Sequence, residues 1–363
     1  MKIAICGYYG VRNFGDEVIL EVLKRLVLEA YPNSEIVVMG KPGMSKTLGL
    51  LPLGVRSLFM AFLRPSLFLK PYRAIKSCDL FILGGGGLFT DEEGSFVSAF
   101  WALHGLIAHM LGKPVAIIGV SVAKLNFWNK WLVKRVFKVA KMSNVRDRVS
   151  QYLLSRLGIQ TKVMTDLAVL LKIPKNEINQ QTKYVAISLR RYKNMPLNLY
   201  TNLAHFCNCV AGELGLDIRL ISLHDGVGND ERILNKIFEL VEVKEKVSVH
   251  KFVSIDDTVK LLANAEVVVA MRLHAGIISA LCETPFIPIG YMRKVKDFWA
   301  EFEDIKPIDI RSDNDVLVRS FNEIWNNYRL YKKSVIDIRQ NMVISANLAE
   351  QQIVTEFRSI VKW

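Results

Sequence analysis

The chain has 363 residues, 51% of them hydrophobic and 23% charged, which excludes a disordered or low-complexity protein and allows two domains, each with its own core. The net charge of +13 calls for an anionic partner: nucleic acid, anionic lipid or a phosphorylated substrate. No nucleic-acid-binding module is present, which leaves the other two.

The first residues, Met1 to Gly7, read as a buried strand running into a glycine turn and lack the layout of a secretory signal. Asp16 to Ala30 has helical periodicity, Ile36 to Met39 reads as a strand, and Asp79 to Leu83 as a strand ending in a turn at Gly84 to Gly87. Helices are expected over Ser95 to Leu111, Trp128 to Ala140 and Ser150 to Leu157. Strands are expected at Val115 to Val120, Ser143 to Val145 and Val163 to Thr165. Trp101 to Ala123 is apolar and long enough to imitate a membrane span, but Gly112-Lys113-Pro114 cuts it in two, so no transmembrane helix is expected.

Ile173 to Lys183 is polar, contains Pro174 and reads as a linker between domains at 1–172 and 184–330, with a helical tail at 331–363. The second domain repeats the alternation. Its strands are Tyr184 to Leu189, Ile218 to Leu223, Val247 to His250, Val267 to Ala270 and Phe286 to Ile289. Its helices are Leu199 to Leu214, Asp230 to Leu240, Ile255 to Ala263 and His274 to Leu281. The fold class that follows is α/β, two doubly wound Rossmann-like domains facing a cleft, with ligands beyond the carboxyl ends of the strands. Five cysteines are scattered, and the close pair Cys207 and Cys209 has no second pair or histidine cluster to complete a metal site, so no metal is expected.

Several strand ends carry residues suited to chemistry. Gly7-Tyr8-Tyr9-Gly10 and Asn13-Phe14-Gly15-Asp16-Glu17 connect the first strand to the first helix, where backbone amides suit an anion; the competing reading is a tight turn with Asp16 as N-cap. Gly85 and Gly86 sit in a four-glycine run that lets a ligand approach the backbone, although no lysine and Ser/Thr follow to make a P-loop. Arg190 and Arg146 end strands and can fork onto a phosphate or carboxylate, but an ion pair with Asp147 or another acid would equally explain Arg146. The sharpest segment is Val267 to Gly276. A buried strand runs into Arg272 and His274, an anion holder and a proton carrier facing alike at period two, with a helix N-terminus behind them. Tyr291 and Lys294 follow the next strand.

Taken in order, these segments resemble the polysaccharide pyruvyl transferase family. The resemblance implies a glycosyltransferase-B-like fold and transfer of the pyruvyl unit of phosphoenolpyruvate to a sugar of a cell-surface glycan or its lipid-linked precursor. A pyruvate ketal forms and phosphate leaves. It implies Arg146, Arg190, Arg272 and Lys294 as cations for the donor, Gly10, Asn13, Asp16, Gly85 and Gly86 as further substrate contacts, and His274 as the proton-handling group, on the donor or on the sugar hydroxyl. No cofactor and no metal are implied. Two departures, Met292 where the family often has aspartate and Arg191 where it often has proline, fall on the acceptor side. A nucleotide-sugar glycosyltransferase of the same fold, or a non-catalytic binder of acidic saccharides, are the alternatives. The expected location is cytoplasmic, peripheral on the inner face of the membrane. Leu58 to Lys76 and Asn126 to Lys141 mix aromatic and basic residues as anionic-membrane-binding helices do; two core-facing helices with solvated basic faces would look the same.

Overall fold

The computed structural model describes residues 1–41, 47–51, 53, 64–92, 94–173, 183–192, 195, 198–225, 230–302, 305–309 and 315–361. It divides into two compact units.

The first unit holds a six-stranded parallel sheet of β1 (Lys2–Cys6), β2 (Glu35–Met39), β3 (Leu80–Phe89), β4 (Val115–Val122), β5 (Met142–Val145) and β6 (Lys162–Val163), in the order β2-β1-β3-β4-β5-β6. Its helices are α1 (Phe14–Ala30), α2 (Ser66–Ser77), α3 (Val97–Met110), α4 (Phe127–Val139) and α5 (Arg148–Ser155). Strands such as Ile3–Cys6 and Val115–Val120 are apolar at successive positions because helices cover both faces, and their side chains are buried throughout. One continuous core joins β1, β3 and β4 to Ile75 of α2, Trp101 of α3 and Val133 of α4, so these three helices share one face of the sheet.

The second unit holds a five-stranded parallel sheet of β7 (Tyr184–Ser188), β8 (Asp217–Ile221), β9 (Val247–His250), β10 (Val267–Ala270) and β11 (Phe286–Pro288), ordered β11-β10-β7-β8-β9. Between them run α6 (Leu199–Leu214), α7 (Glu231–Leu240), α8 (Ile255–Ala263) and α9 (Leu273–Leu281). After β11 come α10 (Arg293–Trp299), α11 (Val316–Asn326) and α12 (Tyr328–Ile360). Two Rossmann-like parallel sheets with interleaved helices are the architecture that the alternation predicts.

In each unit the strand order reverses once, between β1 and β3 and between β7 and β10. At such a reversal the flanking connections leave to opposite faces and open a crevice at the strands' carboxyl ends.

Neither unit is a continuous stretch of chain. Arg12–Gly15 group with the second unit, and the chain from Ser345 on groups with the first. The tail is therefore no separate appendage. Ile353 and Phe357 of α12 are buried, Glu350 pairs with Arg25 of α1, and the Tyr31 hydroxyl donates to the Phe357 carbonyl. The expected linker lies, for 174–182, outside the described residues. Among the described residues no helix is long and apolar enough to cross a membrane; Trp101 to Ala123 divides into α3 and β4.

The glycine run also differs from expectation. Gly84 to Gly87 is not a turn after a strand but the middle of β3. Gly85 and Gly86 have φ of +64° and +74°, and the register against β4 shifts between Gly86 and Phe89, so the run is a bulge. A Cβ at Gly85 would lie 2.1 Å from Ile19 Cγ2, so only glycine lets α1 approach this closely.

His104 of α3 is fully buried, with Nδ1 donating to the Phe100 carbonyl at 2.8 Å and Nε2 accepting from Leu51 N at 3.0 Å. Burial drives its pKa down to about 4 from the ordinary 6.5. Between those values the unfolded chain binds a proton that the folded chain refuses. Stability is therefore complete above about pH 6.5 and falls by up to about 3 kcal/mol as pH drops towards 4. Urea denaturation near pH 7 and near pH 4 is expected to show this loss, and H104N to show an acid loss smaller by about that amount.

Candidate functional site

The carboxyl ends of β7 and β10 meet at the second unit's strand-order reversal, with Ala270 paired to Ser188 and Met271 N donating to the Ser188 carbonyl at 2.9 Å. Two residues beyond that pair on each chain segment stand Arg190 and Arg272. Arg190, half-buried, leaves β7 with its backbone N–H on Met271 Sδ at 3.3 Å. Arg272 is the last extended residue after β10 (φ −79°, ψ 129°) and the N-cap position of α9. The helix starts at Leu273, so His274 lies in its first turn. The period-two alignment of Arg272 and His274 is thus replaced by a strand-to-helix corner.

Arg272 is buried and forks onto Asp230, Nε to Oδ2 and Nη2 to Oδ1, both at 2.6 Å. Asp230 is fully buried just before α7, and its Oδ2 also accepts from Leu223 N at 3.3 Å. Two charge-assisted bonds to one planar carboxylate fix the guanidinium plane, and Nη1 is turned toward Asn13 Oδ1 at 3.5 Å. An arginine held this way is a fixed, buried charge rather than a mobile surface one.

Residues 12–15 join this unit as the lead-in and first residues of α1. Phe14 N donates to the Leu223 carbonyl at 2.9 Å, Asn13 bridges His224 in antiparallel fashion, Arg12 pairs with Asp225, and Phe14 meets Phe252 edge-on at 6.0 Å between centroids. This places Gly15 against His274: a Cβ on Gly15 would fall 1.9 Å from His274 Nδ1. Gly15 is a seat for the imidazole.

A second histidine, His224, is half-buried beside this group. Burial lowers its pKa, and the cations of Arg272 and Arg190 push the same way against Asp230 and Asp225. It is held towards the neutral form, able to accept or relay a proton. Tyr192, after β7, and Tyr291, after β11, meet at 5.2 Å between ring centroids and form an aromatic wall at the same sheet edge. Lys294 lies on α10, but its side chain is outside the described set.

In the first unit Gly10 N donates to Glu17 Oε1 at 3.0 Å, and the Tyr9 hydroxyl donates to the Gly84 carbonyl at 2.5 Å. Burial raises the Glu17 pKa, with the Gly10 N–H and Lys24 opposing. Asp16 is not an N-cap, since α1 begins at Phe14; it lies in the first turn, facing the bulge, where a Cβ on Gly86 would be 3.3 Å from its Oδ1. Arg146, at the end of β5, is buried with Asp166 at 2.8 Å and near Asp147 at 3.8 Å, so an acid accounts for it without a ligand. Among the described residues no cluster of His, Cys, Asp and Glu could hold a metal ion.

The structure therefore brings Asn13, Arg190, Arg272 and His274 together in the second unit and adds Asp230, His224 and Gly15, which the sequence reading missed. A short acidic residue opening a helix just beyond the end of β8 was the available signal for Asp230; its partner lies 42 positions away and has no local signature.

Removing Asp230 leaves a buried, uncompensated guanidinium. D230A is expected to lose about 3–5 kcal/mol in urea denaturation, and the double substitution D230A/R272M to regain much of it, because no lone charge then remains.

Known structures of similar fold include a putative UDP-N-acetylglucosamine 2-epimerase from Listeria monocytogenes (13% identity over 93% of this chain and 91% of that one, TM-score 0.61). They also include a UDP-GlcNAc 2-epimerase from Neisseria meningitidis (13% identity, 98% and 99% covered, TM-score 0.61) and the spinosyn forosaminyltransferase SpnP (11% identity, 95% of each chain, TM-score 0.56). At such identities the likeness is one of fold, glycosyltransferase-B-like. No curated protein matches by sequence. The polysaccharide pyruvyl transferase family model matches residues 13–292, from the Asn13 that joins the second unit to the Met292 that precedes α10. A match over that much of the chain, taking in Asn13, Asp230, Arg272 and His274, places this protein in the polysaccharide pyruvyl transferase family.

Proposed function

We propose that the protein transfers the pyruvyl unit of phosphoenolpyruvate to two hydroxyls of a sugar, releasing inorganic phosphate and leaving a pyruvate ketal on a cell-surface glycan or its lipid-linked precursor. The observation that carries this reading is the preset Arg272–Asp230 fork beside His274 at the strand-order reversal of the second unit, in a chain of this transferase family.

Phosphoenolpyruvate presents a carboxylate and a phosphate on one small enol. Arg190, Arg272 and Lys294 supply cations for these two anions, and Asn13 orients the open edge of the Arg272 guanidinium. The methylene carbon takes a proton and becomes a methyl group, while a sugar oxygen attacks the neighbouring carbon and gives up its own proton. Phosphate then departs with the former enol oxygen, and a second hydroxyl closes the ketal as its proton is released. His274 handles one of these protons, on the donor methylene or on the attacking hydroxyl, and the neutral bias of His224 suits it to receive another. In the first unit the bulge at Gly85 and Gly86, with Asp16 before it, offers backbone and carboxylate groups to a polar substrate; Gly10 supports it through Glu17.

Incubation with phosphoenolpyruvate and candidate glycans or glycolipids is expected to give acceptor-dependent phosphate release and a pyruvate-ketal mass gain. Release of a nucleotide from a nucleotide sugar would favour the glycosyltransferase reading, and ligand binding without turnover a saccharide binder. H274A is expected to lower turnover by at least about a hundredfold with the fold retained; near-normal turnover would remove His274 from the mechanism. G15A must displace the His274 ring and is expected to lower kcat at least about tenfold while circular dichroism stays unchanged.

A further inference from the structure

We propose that the outer face of α4, helped by the start of α2, docks on an anionic lipid bilayer. On α4, Phe127 is 76%, Trp128 74% and Trp131 52% exposed, all within the first turn and a half. At about 100° per residue they share a side of the helix with Lys134, Arg135 and Lys138, while Asn129, Val133, Val136 and Phe137 face the core and Lys130 is exposed at the margin. The sequence of α4 contains four cations and no acid. The Arg135 guanidinium lies over the Trp131 ring at 4.9 Å. Three bulky apolar rings left in water beside a one-sign charge field are costly for an isolated protein and suit an interface that takes rings at headgroup depth and cations against lipid phosphates.

The rings stand on a fixed base. Asn126 caps α4 through its side chain, and Asp91 accepts from Asn126 N at 2.6 Å and from Asn129 Nδ2 at 2.5 Å. α4 follows directly from the end of β4, so its ring-bearing turn lies at the carboxyl edge of the first sheet. α2 covers the same sheet face, and its chain descends into β3, which sets its first turn toward the same edge. That turn exposes Leu67, Phe68 and Leu69, followed by Lys70, Arg73 and Lys76, again with no acid in the helix. Phe96, just ahead of α3, is also half exposed. The starts of α2 and α4 along one edge thus pair exposed apolar groups with cations. A bilayer surface matches this layout better than a nucleic acid, because the exposed aromatic groups gather at the helix starts instead of being spaced along a strand-binding track. This docking holds whichever donor the enzyme uses.

The test is co-sedimentation of the full-length chain with vesicles of phosphatidylcholine alone or with about one-third phosphatidylglycerol. At least about tenfold stronger partitioning onto the anionic vesicles is expected, weakening as salt is raised. W128S/W131S and K134E/R135E/K138E each change only outer-face residues and are expected to lose about tenfold or more, with circular dichroism unchanged. Reversal of three exposed lysines of the second unit, K244E/K260E/K333E, is expected to cost much less, which separates a localised face from the effect of net charge. Equal binding to neutral and anionic vesicles, full binding by either α4 variant, an equal loss in the second-unit variant, or binding to a single-stranded oligonucleotide in place of vesicles would each overturn the proposal.

Discussion

A guanidinium buried at the carboxyl end of a parallel sheet cannot remain without an acid, and Asp230 supplies one to Arg272 through two hydrogen bonds of 2.6 Å. Much of the site's order follows from that pair. The fork ties the start of α7 to the corner between β10 and α9, and leaves one edge of the guanidinium facing Asn13. The same carboxylate holds Leu223 N, and the Leu223 carbonyl in turn takes the Phe14 N–H. Residues 12–15 are thereby drawn into the second unit, and Gly15 arrives under His274. A guanidinium, two imidazoles and an amide side chain are placed relative to one another by a single buried charge pair and the backbone it recruits.

The two units use the same topological opportunity in different ways. Both reverse strand order once. In the first unit the strand beside the reversal carries glycine: a buried bulge in β3 whose positive φ values and tight approach to Ile19 admit no side chain. The nearby cation, Arg146, is taken up by Asp166. In the second unit the opening is built from charge. At the same sheet edge Tyr192 and Tyr291 meet at 5.2 Å between ring centroids.

The net charge of +13 is not spread evenly in its consequences. On α4 and α2 the cations accompany exposed rings and no acids, and on both helices the apolar residues of the opposite side belong to the first unit's core. The mixed aromatic and basic pattern therefore contains two patterns superposed: an inward face that completes a Rossmann-like layer and an outward face with no structural need for its aromatic groups.

Alternating apolar runs and amphipathic stretches were enough for the sequence alone to determine the two parallel sheets, since a strand buried on both faces must be apolar at successive positions and a covering helix must be apolar on one stripe. The bounds of β9, β10, α6 and α8 follow from that periodicity. The Arg272–Leu273–His274 corner was legible for the same reason, as polar residues abruptly ending a buried strand. Tertiary structure alone decided how these residues are held. Nothing local distinguishes Asp230 from any acid at a helix start, or Gly15 from any turn glycine, because their roles are set by partners 42 and 259 positions away, Arg272 for the first and His274 for the second. The glycine run likewise looks like a turn until the pairing of β3 with β4 on both sides of it makes it a bulge. Contacts between distant parts of a chain are fixed by packing and charge compensation in three dimensions, and periodicity carries no record of them.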